Sequence, residues 1–344
     1  MPAPRHGMLS NGRANIIKMG MIVRMDRSEG HLLRSLAWVL LFGAIALLAI
    51  GQSDVFAADL TPKTLKAFND YVALAEQRMK RDESHPNHFL YIESLPKSQF
   101  ESILSTIEHG GVYVQPIRTL DAKGDSIDVP DGMIHHWVGD AFIPGKSVAS
   151  ALEVLRDYDN FKKIYYPEII GSRLISRNDG DDFKVYLRLQ KQSIVTVTID
   201  TWYDIHFTPI GKDGGYSRSV STRIQQVEDA GTPNEHLDPV GHDSGYLWRI
   251  NSYWRYQQRD NGVIIEWESI ALSRDVPFLV AWFVNPLIRN IARGAVQDML
   301  TATRKAVSAE KLPPPETAAE QQPSRSAAHR SRPTRRAAEE RPRP

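Results

Sequence analysis

The stretch that most constrains the fold of this 344-residue chain runs from residue 263 to residue 308. It begins with the apolar strand pattern VIIEWESIALSR and continues into a segment whose apolar residues recur at helical spacing. We predict a helix from about 286 to 308, with Pro286 in its first turn. At 1.5 Å per residue this helix is roughly 35 Å long, enough to cross a whole sheet. A curved sheet closed by one long helix encloses a space, and such spaces bind apolar molecules.

The N-terminal region predicts export. Arg24, Arg27 and Arg34 precede an apolar run at 36–50, and the Val-Phe-Ala sequence at 55–57 offers small residues for cleavage. Basic residues, an apolar run and a small-residue site follow one another in signal peptides. We therefore predict a periplasmic or secreted protein, with an uncleaved membrane anchor as the alternative.

The remaining chain divides by composition. We predict a signal peptide or anchor at 1–57, a small helical preface at 58–130, a main domain at 131–310 and a disordered tail at 311–344. The tail lacks large apolar residues, so it cannot offset its chain entropy by burial. Its arginines allow contact with anionic lipid at a membrane; a soluble tail is the alternative. The acidic middle argues against nucleic acid as a partner.

Because the chain has no cysteine, disulfides and thiolate metal sites are excluded. The loop at 229–245 carries His236, Asp238, His242 and Asp243, which are of the type that binds hard metal ions, but loops of this composition are usually solvated, so we predict no metal site. No phosphate-binding glycine loop is present, and we predict no cofactor.

Hydrophobic periodicity and turn residues predict the elements between these ends. In the preface we expect helices at 62–82 and 95–109, a short strand at 89–92 and an extended segment at 112–117. In the main domain we expect a strand at 133–143, a helix at 148–164, and then strands almost throughout 168–272, with turns at 178–180, 211–215 and 260–262. Consecutive strands joined by short turns favour an antiparallel sheet.

Three local sequences carry a resemblance to a known family. They are the Pro144-Gly145 turn into the helix at 148–164, the DYDNF sequence at 157–161 before Tyr166-Pro167-Glu168, and the stretch 267–277 leading into the last helix. With the element order, they make residues 131–308 resemble the START-like superfamily, which includes lipid-transfer domains, polyketide cyclases and coenzyme Q-binding proteins. The resemblance implies an α+β helix-grip fold, a curved antiparallel sheet wrapped on a long C-terminal helix. It implies no single activity, because this fold hosts carriers and enzymes alike.

The resemblance and the apolar patterns suggest where a ligand would bind. Alternation along a strand predicted at 246–257 places apolar and aromatic residues on one face, and the last helix adds an apolar stripe, with Ala295 at the expected crossing of helix and sheet. The predicted ligand-binding residues are Trp248, Ile250, Trp254, Tyr256, Trp282, Ile288, Ile291, Ala295 and Met299. The alternative is that these residues simply fill a core. The first hypothesis is therefore a non-enzymatic carrier of a lipid or other apolar small molecule.

Two further hypotheses remain. Glu266 and Glu268 share a strand face, and two neighbouring carboxylates can perform acid/base catalysis in a cyclase- or hydrolase-type enzyme, with Arg249 assisting. The competing interpretation is a solvated outward face, with the carboxylates paired to Arg249 or Arg255. No catalytic motif of any family is recognisable, and no catalytic residue is predicted. A third hypothesis is a ligand-free envelope scaffold, which predicts a filled interior.

Overall fold

The computed structural model describes residues 58–85, 88–178, 180–192, 195–276 and 278–309, with the side chains of 278–283 left out. The predicted signal peptide at 1–57 and the predicted tail from 311 onward lie outside the described residues. The described residues form one compact unit. Within them, no helix is both long enough and apolar enough to cross a bilayer.

The fold is α+β, as predicted, with one long antiparallel sheet and a long C-terminal helix. Its strands are β1 (Ala58–Asp59), β2 (Val112–Pro116), β3 (Gly132–Pro144), β4 (Ile169–Asn178), β5 (Asp182–Gln192), β6 (Thr196–Ile210), β7 (Gly214–Glu228), β8 (His236–Leu237), β9 (His242–Asp243), β10 (Arg249–Arg259) and β11 (Gly262–Arg274). Its helices are α1 (Pro62–Glu83), α2 (Lys97–Glu108), α3 (Val148–Leu155), α4 (Phe161–Ile164) and α5 (Phe278–Ser308), with short 3₁₀ turns at Tyr91–Ser94 and Tyr158–Asn160. The expected strand at 89–92 is wrong, and the expected helix at 148–164 is broken into three pieces.

The main sheet has the strand order β2-β3-β11-β10-β7-β6-β5-β4, with β8 added beside β7, while β1 pairs with β9. The hairpin expected at 260–262 is present, because Arg259 pairs with Gly262 across a two-residue turn. We call inner face the side on which sheet residues such as Ala141 and Ile265 share a core with α5. The opposite side is the outer face.

Helix α5 begins at Phe278, eight residues before the predicted start, and Pro286 lies inside it. Its second half is anchored on the inner face by Val296, Leu300, Thr303 and Val307, all buried. The helix packs directly on β3 at Gly139, where an added Cβ would lie 2.7 Å from Leu300 Cδ1 and 2.9 Å from Val296 Cγ1. The close crossing therefore involves Val296 and Leu300 rather than Ala295.

The preface covers the outer face of the sheet. Helix α1 packs its apolar stripe, including Phe68 and Val72, against Ile270 and Leu272 of β11. The segment from residue 89 through α2 packs on Phe142 and Ile264 in a separate cluster. Strand β2 extends the sheet at the edge of β3. The preface therefore buries a face that the sequence pattern marks as polar.

Candidate functional site

Burial along the central strand β10 is the reverse of the usual arrangement. Its inner-facing residues Ile250, Ser252 and Trp254 are only partly buried. Its outer-facing residues are the polar ones, Asn251, Tyr253 and Arg255, and they are 5%, 4% and 1% exposed. Strand β10 lies between β11 and β7, so it is not an edge strand. Its inner face can be exposed only where no other part of the protein packs against it. The apolar side of this strand is therefore the open side.

Aromatic rings line this open face. Trp254 pairs in register with Trp267 of β11, and their rings stack at 5.8 Å between centroids. Opposite the sheet, the part of α5 from 284 to 295 has no buried residue, although Leu287, Ile288 and Ile291 lie on it. An apolar strand face and an apolar half-helix are thus both left incompletely covered.

The structure brings together some of the predicted ligand residues. Ile250, Trp254 and Met299 are partly buried against the inner core, and Tyr256 lies within that core. Ile288, Ile291 and Ala295 lie on α5 and are partly exposed, and the side chain of Trp282 lies outside the described residues. Their role in ligand binding stays a prediction.

Trp248 is not on the inner face. It packs in the cluster formed with α1, and its Nε1 donates a hydrogen bond to Asp243 Oδ1 at 3.1 Å. The reason is that β10 begins at Arg249, so the strand alternation that predicted the position of Trp248 does not extend to it.

Glu266 and Glu268 lie on the outer face, and both are fully buried. Glu266 accepts a hydrogen bond from Arg255, its cross-strand neighbour, and another from the Tyr91 N–H at 2.6 Å. The predicted pairing with Arg255 is confirmed, whereas the predicted solvated surface is wrong because the preface covers it.

Glu268 forms the second half of the same ionic cluster. It pairs with Arg78 of α1 and with His136 Nε2 at 2.6 Å. His136 Nδ1 lies 3.0 Å from the hydroxyl of Tyr71, also on α1. Charged and polar groups of the preface thus meet those of the sheet in an interface where Glu268 and His136 are buried and Arg78 is partly exposed.

The surroundings lower the pKa of one carboxyl group in this cluster and raise the pKa of another. Burial would raise the pKa of Glu268, but the hydrogen bond from His136 and the charges of Arg78, His136 and Arg255 lower it to about 2. Burial raises the pKa of Asp140 well above its usual range, and the negative charge of Glu266, its neighbour in register, raises it further. Among the described residues, neither oxygen of Asp140 has a hydrogen-bond partner, as expected when the facing group is another carboxylate.

A row of serines on the inner face was not predicted from the sequence. Ser219 of β7, Ser252 of β10 and Ser269 of β11 pair side by side in register. The signal was present in the sequence as the alternation Ser217-Arg-Ser-Val-Ser221, since residues two apart in a strand share a face.

Comparisons with known proteins concern the fold. No family model matches the chain, and no curated protein matches it. Similar solved structures include a STAR-related lipid transfer protein from Xanthomonas axonopodis, 16% identical over 50% of this chain and 95% of that one, with a TM-score of 0.33. Human STARD10 is 15% identical over 61% of this chain and 80% of its own, with a TM-score of 0.37. The Zhui aromatase/cyclase from a Streptomyces species is 12% identical over 51% of this chain and 94% of its own, with a TM-score of 0.31.

The element order and the antiparallel sheet closed by α5 are those of the helix-grip fold. The predicted α+β architecture, an antiparallel sheet with a long C-terminal helix, is confirmed by the elements of the structure. At such low identities and TM-scores, the similarities carry no information about the ligand or the activity.

Proposed function

We propose that this protein binds a lipid or other apolar small molecule between the inner face of the sheet and α5. The observation that carries the proposal is the incomplete burial of Ile250 and Trp254 on a central strand. Burying apolar surface is worth about 25 cal/mol per Å². An apolar molecule that packs against these side chains removes their apolar surface from water, and this favours binding.

The two alternatives fit the geometry less well. A catalytic role for Glu266 and Glu268 needs access to a substrate, and both carboxylates are buried on the outer face beneath the preface. A ligand-free scaffold predicts a filled interior, whereas Ile250, Ser252 and Trp254 are partly exposed. Ligand binding by a carrier would take place on the inner face, which is the face left incompletely buried.

The test is a substitution that occupies the open space. In Ser252→Phe, a ring projects from the inner face of β10, so we expect loss of binding of a neutral apolar dye such as N-phenylnaphthylamine. The free energy of unfolding should stay near that of the wild type, because Ser252 and its inner-facing neighbours Ile250 and Trp254 are only partly buried. Ser102→Phe is the matched control, since Ser102 is exposed on α2, and it should bind the dye normally.

Two outcomes would contradict the proposal. One is dye binding by Ser252→Phe with unchanged affinity, which would place the site elsewhere. The other is a large loss of stability in Ser252→Phe without dye binding by the wild type. Overpacking a filled core costs about 1–3 kcal/mol, so that pair of results would favour the scaffold.

We also propose that the protein is exported and meets its ligand outside the cytoplasm, with contact to a membrane surface. The support is the order of basic residues, apolar run and small residues before Ala58. Cell fractionation with N-terminal sequencing should find the mature chain starting near Ala58 in the exported or membrane fraction. Full-length chain in the cytosol would contradict this.

A further inference from the structure

The serine row crosses the middle of the open inner face. Its members Ser219, Ser252 and Ser269 lie on three adjacent strands, and the same row continues into Trp137 of β3. Adjacent strands are about 4.8 Å apart, so the three hydroxyl-bearing residues span about 10 Å. The Trp254–Trp267 pair forms the next inner row along the same strands. A hydrogen-bonding strip thus borders an aromatic surface.

The three hydroxyls are unpartnered although two of the serines are nearly buried. Ser219 is 7% and Ser269 is 8% exposed, and Ser252 is partly buried. Among the described residues, none of these hydroxyls makes a hydrogen bond, in contrast to the hydroxyl of Ser221, which accepts from the Ile250 N–H at 3.0 Å. None of the three hydroxyl oxygens is among the fully buried side-chain atoms without a partner, so each is accessible from the space in front of the sheet and can both donate and accept there. Three neighbouring hydroxyls on the same face of the sheet point to an oxygen-bearing ligand.

On its own three strands, the inner-facing neighbours of the row carry no formal charge. The inner-facing residues that flank it on the three strands are Ser217, Ser221, Ile250, Trp254, Trp267 and Ala271. Nearby on β3, burial lowers the pKa of His135 to about 4, which keeps this imidazole neutral at pH 7. A carboxylate or phosphate at the row would lose its hydration without gaining a cation from these three strands.

We propose that the ligand is an uncharged amphipathic molecule whose hydroxyl or carbonyl oxygen binds to Ser219, Ser252 and Ser269, while its apolar body lies on Trp254 and Trp267. This rests on the proposed function and specifies the ligand class for the same site. Serine hydroxyls both donate and accept, so the row selects for an alcohol or ketone group over a purely apolar end.

The experiment compares two probes of equal chain length, dodecanol and chlorododecane, by displacement of N-phenylnaphthylamine. The variant is Ser219→Ala/Ser252→Ala/Ser269→Ala, which removes the hydroxyls and leaves the apolar surface in place. We expect the variant to bind dodecanol about tenfold more weakly than the wild type, the value of one or two net hydrogen bonds. Chlorododecane should change by less than about twofold. Because each probe is compared between two proteins, differences in probe solubility cancel.

Controls separate this proposal from the proposed function. Ser102→Ala, exposed on α2, should behave as the wild type with both probes. If the triple variant does not fold, Ser252→Ala alone decides, with an expected loss of about threefold in affinity for dodecanol only.

If the wild type binds both probes and the variant weakens the binding of both equally, or of neither, the proposed ligand class is wrong while an apolar site remains. Tighter binding of dodecanoate than of dodecanol by the wild type would overturn the uncharged head group. Failure of the wild type to bind the dye or either probe would overturn the proposed function itself.

Discussion

Replacing Glu268 by Gln tests whether the outer-face ionic cluster holds the preface on the sheet. The carboxylate pairs with Arg78 of α1 and with His136 of β3, and these partners, with Arg255, lower its pKa to about 2. A pKa lowered by that much from an ordinary glutamate value corresponds to about 3 kcal/mol in favour of the ionised form. We therefore expect Glu268→Gln to lower the free energy of unfolding at pH 7 by about 3 kcal/mol.

The pH dependence gives this prediction its sign. A lowered pKa contributes stability that is fully present above the pKa of the unfolded chain, about 4.3, and is lost as the pH falls towards the folded-state value of about 2. Urea unfolding of wild type and variant between pH 7 and pH 2 should thus show a difference that narrows as the pH falls. Glu101→Gln is the control, because Glu101 is exposed beside Lys97 and should matter little. Equal stabilities at pH 7, or a difference that does not change with pH, would refute the reasoning.

Three further substitutions have defined outcomes in urea unfolding. Asp140→Asn should gain stability relative to the wild type as the pH rises. The pKa of Asp140 is raised in the folded protein, so the wild type loses stability when this carboxyl group deprotonates. A loss of stability of the variant relative to the wild type as the pH rises would contradict this. Gly139→Val should cost about 1–3 kcal/mol by overpacking, since its Cβ would lie 2.7 Å from Leu300 Cδ1; unchanged stability would show that α5 moves freely. Thr303→Val should cost about 1–3 kcal/mol, because the buried Tyr165 hydroxyl, 3.0 Å from Thr303 Oγ1, would lose that partner; a neutral result would mean that Tyr165 finds another.

The strands and turns were predictable because their signals are local. The alternation at 263–272 and the Asp-Asn-Gly turn at 260–262 specify the β10–β11 hairpin without any distant contact. The start of α5 was not predictable in this way, because proline is favoured in the first turn of a helix and Pro286 lies inside this one.

The burial of the outer face could not be predicted from the strand pattern. Charged residues are seldom fully buried, so Arg255, Glu266 and Glu268 indicated a solvated surface. Their burial depends on α1, whose Arg78 is separated from Glu268 by 190 positions in the chain. The apolar side of the site was predictable only in part, because its exposure also depends on distant packing. Alternation identifies which residues share a face, but only the packing of α1 and α5 decides which face stays open.

Native mass spectrometry of the full-length protein, purified without detergent, tests the central claim most directly. We expect the wild-type protein to carry a bound apolar molecule, with an added mass that disappears on organic extraction and returns on incubation with dodecanol. Ser252→Phe should carry no added mass and regain none, whereas Ser102→Phe should behave as the wild type. A wild-type protein that carries no added mass and takes up no dodecanol would contradict the account, because the inner face around Ile250 and Trp254 would then be open without binding anything.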